Sequence, residues 1–148
     1  MSTVVVDDHL LRDVLTGERM ADLGGVATAL ATTGLWLFRL NSAWATPGVI
    51  GKLSAPVAAL PVDRQEGFLA QLTALPDEIE IVHLRHLAWP MAELQRRHRS
   101  HGRRLSAAMA EALAAAHALG AAIAVSREDV GANLEAAAEH DRITFHVL

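Results

Sequence analysis

Short apolar runs without polar alternation recur along this chain between longer helical patterns. Residues 3–6 (Thr-Val-Val-Val) and 121–125 (Ala-Ala-Ile-Ala-Val) are hydrophobic almost throughout, which is typical of strands buried on both faces. Further strands are predicted within 24–33, 78–84 and 143–148, and helical patterns lie between them. Strands that alternate with helices predict an α/β domain, in which a mainly parallel sheet is covered on both faces. We expect Val4–Val6 and Ile123–Val125 to be adjacent or near-adjacent inner strands.

Carboxylates stand where two of these strands end. Asp7 and Asp8 follow the first strand, and Asp129 comes shortly after residues 121–125. Because parallel strands end at a shared edge of the sheet, these carboxylates should be neighbours although they lie at opposite ends of the chain. A cluster of this kind can hold a metal ion. Each acid also has a structural interpretation, since Asp8 could cap the following helix and Asp129 stands at a predicted helix start.

Composition restricts the possible classes of protein. A chain of 148 residues predicts one domain, residues 1–148, with a sizeable core. No apolar run reaches the ~18 residues of a membrane span, and no basic stretch precedes an apolar one at the N-terminus, so we expect a cytoplasmic protein without membrane association. The absence of cysteine excludes disulfides and thiolate zinc sites. The segment around Pro47, Gly51 and Pro56 is expected to be broken helix.

The formal net charge of −4 gives no general reason to bind nucleic acid, but residues 95–105 (QRRHRSHGRRL) are strongly basic. One interpretation is the solvated face and end of a helix. The other is a patch that contacts the phosphates of RNA. No aromatic residue interrupts the segment, so base stacking is not predicted. The arginines of the candidate patch are Arg96, Arg97, Arg99, Arg103 and Arg104.

Two families resemble parts of the chain. Residues 4–15 (VVVDDHLLRDVL) resemble the start of a response-regulator receiver domain, but the only lysine, Lys52, comes far too early for that family, and Asp63 does not end a strand. Residues 105–130 are similar to the C-terminal half of PIN-domain proteins, the family of VapC-type toxin ribonucleases. In both, a helix runs into a Leu-Gly-Ala turn, a buried strand and a serine or threonine segment. Residues 32–43 match the helix that usually carries a glutamate.

The resemblance implies a three-layer α/β/α PIN-like domain, a homodimer and an antitoxin-like protein partner. PIN nucleases hold Mg²⁺ or Mn²⁺ with acids at the strand ends and cleave RNA. Carried over by position, the first acid of the family matches Asp7, and the second aspartate after the fourth strand matches Asp129. The other matched positions are not acidic: His9 two residues beyond the first acid, Arg39 for a glutamate, and Met109 and Arg127 for aspartates.

These replacements leave three hypotheses. The leading one is a PIN-like protein that binds no metal, because Arg39 or Arg127 neutralises Asp7, and that acts by binding RNA or a protein partner. The second is an active Mg²⁺- or Mn²⁺-dependent ribonuclease that uses Asp7, Asp8, Asp129 and Glu111. Glu111 fits poorly, because two residues are about 200° of helix rotation and it should point away from the side that Met109 faces. The third is a purely protein-interaction module.

Overall fold

The computed structural model describes residues 2–18, 20–46 and 51–148, so the broken helix expected at Pro47 lies partly outside the described residues. Strands and helices alternate along these ranges as β1 (Thr3–Val6), α1 (Asp8–Leu15), α2 (Met20–Gly24), β2 (Ala29–Thr32), α3 (Gly34–Ala45), α4 (Ala55–Ala58), α5 (Val62–Thr73), β3 (Ile79–Ile81), α6 (Leu84–Arg99), α7 (Ala107–Leu119), β4 (Ala122–Val125), α8 (Ala132–His140) and β5 (Phe145–Val147). None of the helices among these residues is long and apolar enough to cross a membrane.

The strands form one sheet in the order β3-β2-β1-β4-β5, and every neighbouring pair is parallel. Val5 of β1 is paired with Ala31 on one side and with Ile123 on the other. This confirms the predicted α/β/α architecture and the adjacency of the first and fourth strands. The central position of β1 explains why its sequence does not alternate, since helices cover both faces.

Side chains of β1 divide the core into two layers. Val4 and Val6 pack with α1, α5 and the middle of α3, whereas Val5 packs with α6, α7 and α8. Alternation of side chains along a strand requires this division. The amphipathic pattern of residues 62–75 predicts that Phe68, Leu69, Leu72 and Leu75 point inward. Phe68 and Leu72 do fill the core, but the prediction is wrong for Leu69, whose side chain is 41% exposed.

Helix α7 is buried almost all round, more completely than an amphipathic pattern predicts. The sequence predicts burial along one face of the helix that follows Gly102, at Leu105, Met109, Ala112, Leu113 and Ala116. The structure confirms this for all but Met109, which is half-buried. The small alanine side chains let the helix lie close to the sheet. It ends at Gly120, whose left-handed conformation (φ 59°) suits a residue without a side chain.

The sequence of residues 126–140 predicts a single helix, but this segment is divided in the structure. Residues Arg127–Asp129 form one 3₁₀ turn, and α8 begins only at Ala132. The Ser126 hydroxyl starts the turn by accepting a hydrogen bond from the Glu128 N–H at 3.3 Å. In the broken segment, Asp129 reaches the cavity at the carboxyl edge of the sheet, whereas Arg127 is exposed.

Candidate functional site at the carboxyl edge of the sheet

Asp7 joins the two central strands at their carboxyl ends. Its side chain is the N-cap of α1, with Oδ1 accepting the Leu10 N–H at 2.9 Å. Oδ2 accepts the Ser126 N–H, also at 2.9 Å, so the predicted proximity of the two strand ends is confirmed. The expectations that Asp8 caps the helix and that an arginine pairs with Asp7 are wrong. Extended backbone at Asp7 (φ −74°, ψ 179°) gives this residue the capping position and commits both of its oxygens to amides.

Burial raises the pKa of Asp7 to about 6, against the lowering effect of the hydrogen bonds from Leu10 and Ser126. The neighbouring charge of Asp8 raises this pKa further. Backbone amides stabilise the carboxylate less than a cation would. Asp7 therefore takes up a proton as the pH falls through about 6, which is just below neutral pH.

Asp8 is fully buried and is paired with the next residue in the chain. Its Oδ1 accepts the backbone N–H of His9 at 2.9 Å and lies 3.0 Å from His9 Nδ1. The hydrogen bond with Asp8 raises the pKa of His9, against the opposing effect of burial. Two buried atoms of this pair, Asp8 Oδ2 and His9 Nε2, have no hydrogen-bond partner among the described residues. The second oxygen of Asp8 therefore depends on ionic neutralisation.

Arg39 supplies the positive charge at this edge. Its Nε lies 3.3 Å from Asp8 Oδ2, and its Nη2 lies 3.6 Å from Asp129 Oδ2. Asp129 Oδ2 is also 3.9 Å from His9 Nδ1. The guanidinium thus bridges a fully buried carboxylate and a half-exposed one while remaining half-exposed itself. An arginine does pair with acids at this edge of the sheet, as predicted, but its partners are Asp8 and Asp129 rather than Asp7.

Met109 and Arg127 differ in their relation to these acids. Met109 lines a cavity of about 230 Å³ together with Asp7, Arg39 and Asp129. Arg127 is exposed and has no ion pair with a described residue, so the prediction that it faces the acids is wrong. Two residues of a 3₁₀ turn span about 240° of rotation, so the side chains of Arg127 and Asp129 point in different directions.

Glu111 belongs to a different part of the molecule. It is buried, and its Oε1 accepts the Leu35 N–H at 2.8 Å, which satisfies a free amide at the start of α3. The expectation that Glu111 points away from the site is therefore confirmed, since its carboxylate does not join the acids at the strand ends. Asp7, Asp8 and Asp129 do come together.

The geometry allows a test of whether the site fits a divalent metal. Asp7, Asp8 and His9 offer ligand atoms within 4.8 Å of one another, which is close enough for one ion to bridge them. However, both oxygens of Asp7 already accept amides, and Arg39 lies against Asp8 and Asp129. A divalent cation would be repelled by the guanidinium and would compete with it for the same carboxylates. With Arg39 in this position, the residues do not fit a metal.

Two of the five arginines in the predicted patch are used inside the fold. Arg97 donates two hydrogen bonds to Asp141, at 2.6 and 2.9 Å, and Arg103 Nε donates one to His98 Nδ1 at 3.0 Å. Because arginine only donates, His98 Nδ1 carries no proton, and its Nε2 is the nitrogen that donates to Asp141, at 3.2 Å. Burial alone would raise the pKa of Asp141, but hydrogen bonds from Arg97, His98 and His117 hold it well below its usual range. Exposed members of the patch are Arg96, Arg99 and Arg104.

Comparisons with known proteins identify the fold. No family model matches the sequence, and no curated protein matches it significantly. The crystal structure of FitAcB from Neisseria gonorrhoeae is similar over 97% of this chain and 96% of that one, with a TM-score of 0.58 and 15% identity. A structure of FitAB bound to the IR36 DNA fragment is similar over 97% and 94%, with a TM-score of 0.58 and 16% identity. The chain therefore has a PIN-like fold, and at these identities the likeness is one of fold.

Proposed function

We propose that this PIN-like domain has lost metal-dependent nuclease chemistry and acts by binding a partner. The observation that carries the proposal is the position of the Arg39 guanidinium, 3.3 Å from Asp8 and 3.6 Å from Asp129. A guanidinium replaces the charge of a metal, but it supplies neither Lewis acidity nor a bound water of lowered pKa.

Two further residues support the loss of catalysis. Met109 brings an apolar side chain to the cavity that Asp7 lines, at the position where the resemblance implies an aspartate. A β-carbon on Gly131 would lie 2.9 Å from the Met109 Cε, so this methyl group fills the space beside the loop. Asp7 serves as a structural acceptor for two amides. Each side chain thus has a role that requires no metal.

RNA is the first candidate partner, because Arg96, Arg99 and Arg104 remain exposed after Arg97 and Arg103 have been used internally. The FitAB neighbour was determined with a DNA fragment, which agrees with a role for nucleic acid in proteins of this fold.

A protein partner is the second candidate, since an apolar groove of about 480 Å³ lies between α3, β3 and α6. Leu35, Ile81, Leu84 and Met91 contribute to its lining, and Leu84 is 54% exposed. Such a groove suits an apolar segment of an antitoxin-like protein or of a second copy of the chain.

Titration with Mn²⁺ tests the proposal against the rival ribonuclease that uses Asp7, Asp8 and Asp129. Calorimetry should detect no binding to the wild-type protein at millimolar Mn²⁺. The double variant Arg39→Glu, Met109→Asp removes the guanidinium and adds two acids, and we expect it to acquire Mn²⁺ affinity. Arg96→Glu is the control for charge, because it makes the same reversal away from the acids. Binding of Mn²⁺ to the wild-type protein would overturn the proposal, and a folded double variant without affinity would contradict the assignment of Arg39 and Met109.

A further inference from the structure

The solvent face of α6 carries a basic stripe with an aromatic residue inside it. Positions spaced by four and three residues lie on one side of an α-helix. Five such positions of α6 are all exposed, and the residues that α6 buries lie on the opposite side of the helix. The exposed stripe consists of Arg85, Trp89, Ala92, Arg96 and Arg99. The buried side consists of Leu87, Leu94 and His98.

Trp89 is 74% exposed, whereas Trp36 in the core is 4% exposed. An exposed indole ring contributes no burial to the fold, and tryptophan is enriched at binding interfaces. The residue stands seven positions before Arg96, two helical turns away on the same face. Residues 95–105 contain no aromatic residue, but Trp89 lies earlier on the same helix and shares its exposed face with Arg96.

The arginines of the stripe have no counter-charge in the part of the chain that the structure describes. Arg85, Arg96 and Arg99 form no ion pair or side-chain hydrogen bond with any residue that the structure describes. Between residues 84 and 106 there are six arginines and a single acid, Glu93. The charge of Glu93 acts on Arg97, which lies on the flank of the helix. The stripe is thus a local positive surface on a chain whose formal net charge is −4.

We infer that this face of α6 binds single-stranded nucleic acid, with the arginines on the phosphates and the Trp89 ring stacked on a base. Arg85 and Arg99 are separated by about 21 Å along the helix axis, which is room for several successive nucleotides. A positive track combined with an aromatic platform is the pattern by which single strands are held without sequence preference. Bases of a duplex are stacked on each other and would leave Trp89 without a partner.

This inference deepens the proposed binding role, but it rests on different residues from the acidic edge. Loss of the α6 stripe leaves Arg39, Asp8 and Asp129 unchanged, so the two ideas can fail separately. Mn²⁺ binding to the wild-type protein would overturn the loss of catalysis and leave the nucleic-acid surface standing. Absence of nucleic-acid binding would overturn the surface and leave the metal result standing.

Fluorescence anisotropy of labelled oligouridylate, with full-length wild-type protein and variants, tests the surface. Trp89→Ala should weaken binding about tenfold, and Trp89→Phe should recover most of the loss because a phenyl ring also stacks. Phe38→Ala is the matched control, since Phe38 is an exposed aromatic residue of α3 (65% exposed), and it should leave the affinity unchanged. Arg96→Gln with Arg99→Gln should reduce the slope of log K against log salt by about 1.4. Arg127→Gln is the control for charge.

Further arms distinguish the possible ligands. Oligothymidylate that binds as well as oligouridylate would show that the surface takes single strands of either kind, whereas binding of RNA alone would assign it to RNA. Equal losses in Trp89→Ala and Phe38→Ala would overturn the inference. Tighter binding of duplex than of single strands would also overturn it. Self-association or binding to anionic lipid vesicles that disappears in Trp89→Ala, without any binding of oligonucleotide, would assign the face to a second copy or to a membrane surface and would refute the inference.

Discussion

Two carboxylate side chains at opposite edges of the sheet are almost completely buried and have opposite shifts in pKa. Asp7, at the carboxyl edge, accepts two backbone amides and no cation, and burial raises its pKa to about 6. Asp141, at the amino edge, accepts two hydrogen bonds from Arg97 and one each from His98 and His117, and its pKa is held well below the usual range. The guanidinium of Arg39, which lines the same cavity as Asp7, pairs instead with Asp8 and Asp129. Two buried carboxylate side chains thus have pKa shifts of opposite sign, because only Asp141 has a cation as its hydrogen-bond partner among the described residues.

Helix α7 connects the two edges, because Met109 lies at one and His117 at the other. Leu113 lies between them in the middle of the helix, and its side chain is 0% exposed. We expect Leu113→Ala to lower the free energy of unfolding by about 2–5 kcal/mol, since it leaves a cavity that the helix cannot close. Chemical denaturation measures this loss. A loss below about 1 kcal/mol would show that the packing of α7 against the sheet is misassigned.

Replacement of Asp141 should have the next largest effect. Asp141→Asn removes the charge that Arg97 needs and weakens the link between α6, α7 and α8, at a cost of about 2–4 kcal/mol at neutral pH. The low native pKa means that the wild type gains stability from Asp141 above the unfolded pKa of 3.8 and loses it as pH falls below that value. The deficit of the variant should therefore shrink in acid. Denaturation at a series of pH values measures it, and a deficit that does not depend on pH would refute the account of this carboxylate.

Asp7 should show the reverse dependence on pH. Because its native pKa is raised, folding takes up protons between the unfolded pKa of 3.8 and about 6, so wild-type stability falls as pH rises through this range. Asp7→Asn has no such titration and loses one hydrogen bond of about 1 kcal/mol, because its amide group cannot accept the second N–H. The variant should consequently be furthest below wild type near pH 4 and should approach it near pH 7, by about 1–2 kcal/mol. A deficit that grows with pH would contradict the raised pKa.

Arg39→Ala should have the smallest effect on stability, about 1 kcal/mol, because the guanidinium is half-exposed and its distances are long. Its informative consequence is a change in the response to metal. Millimolar Mn²⁺ should raise the melting temperature of the variant and not that of the wild type, since only in the variant do Asp8 and Asp129 lack the guanidinium. Arg127→Ala is the control, because this exposed arginine has no contact with the acids and should respond like the wild type. An equal response in Arg39→Ala and Arg127→Ala would mean that Arg39 does not exclude the ion.

The sequence predicts the arrangement of strands better than it predicts the partners of the carboxylates. Unalternating runs at residues 3–6 and 121–125 predict two inner strands that end at one edge, and the pairing of Val5 with Ile123 confirms this. The resemblance to PIN-domain proteins likewise implies that Arg39 lies beside the acids, and the guanidinium is 3.3 Å from Asp8 Oδ2. Which acid it reaches depends on the backbone conformation of a single residue, Asp7, which no periodicity encodes.

Two arginines that were predicted as site residues have other positions in the structure. Arg127 was predicted to face the acids because its position matches an aspartate of the PIN family, but in the 3₁₀ turn Arg127–Asp129 its side chain is exposed. Within the basic segment, Arg97 was predicted to contact phosphate, but its position on the flank of α6 brings it to Asp141. Trp89 shares the solvent face of α6 with Arg96 only because the helix continues two turns before the basic segment.

The central claim is that Arg39 takes the place of a metal ion at the acidic edge. A crystal of the wild-type protein soaked in millimolar Mn²⁺ tests it most directly, since anomalous scattering locates the ion independently of the protein atoms. The account predicts no anomalous peak beside Asp7 or Asp8, with the Arg39 guanidinium between Asp8 and Asp129. A peak coordinated by Asp7, Asp8 or His9, with the Arg39 side chain turned out toward solvent, would contradict it.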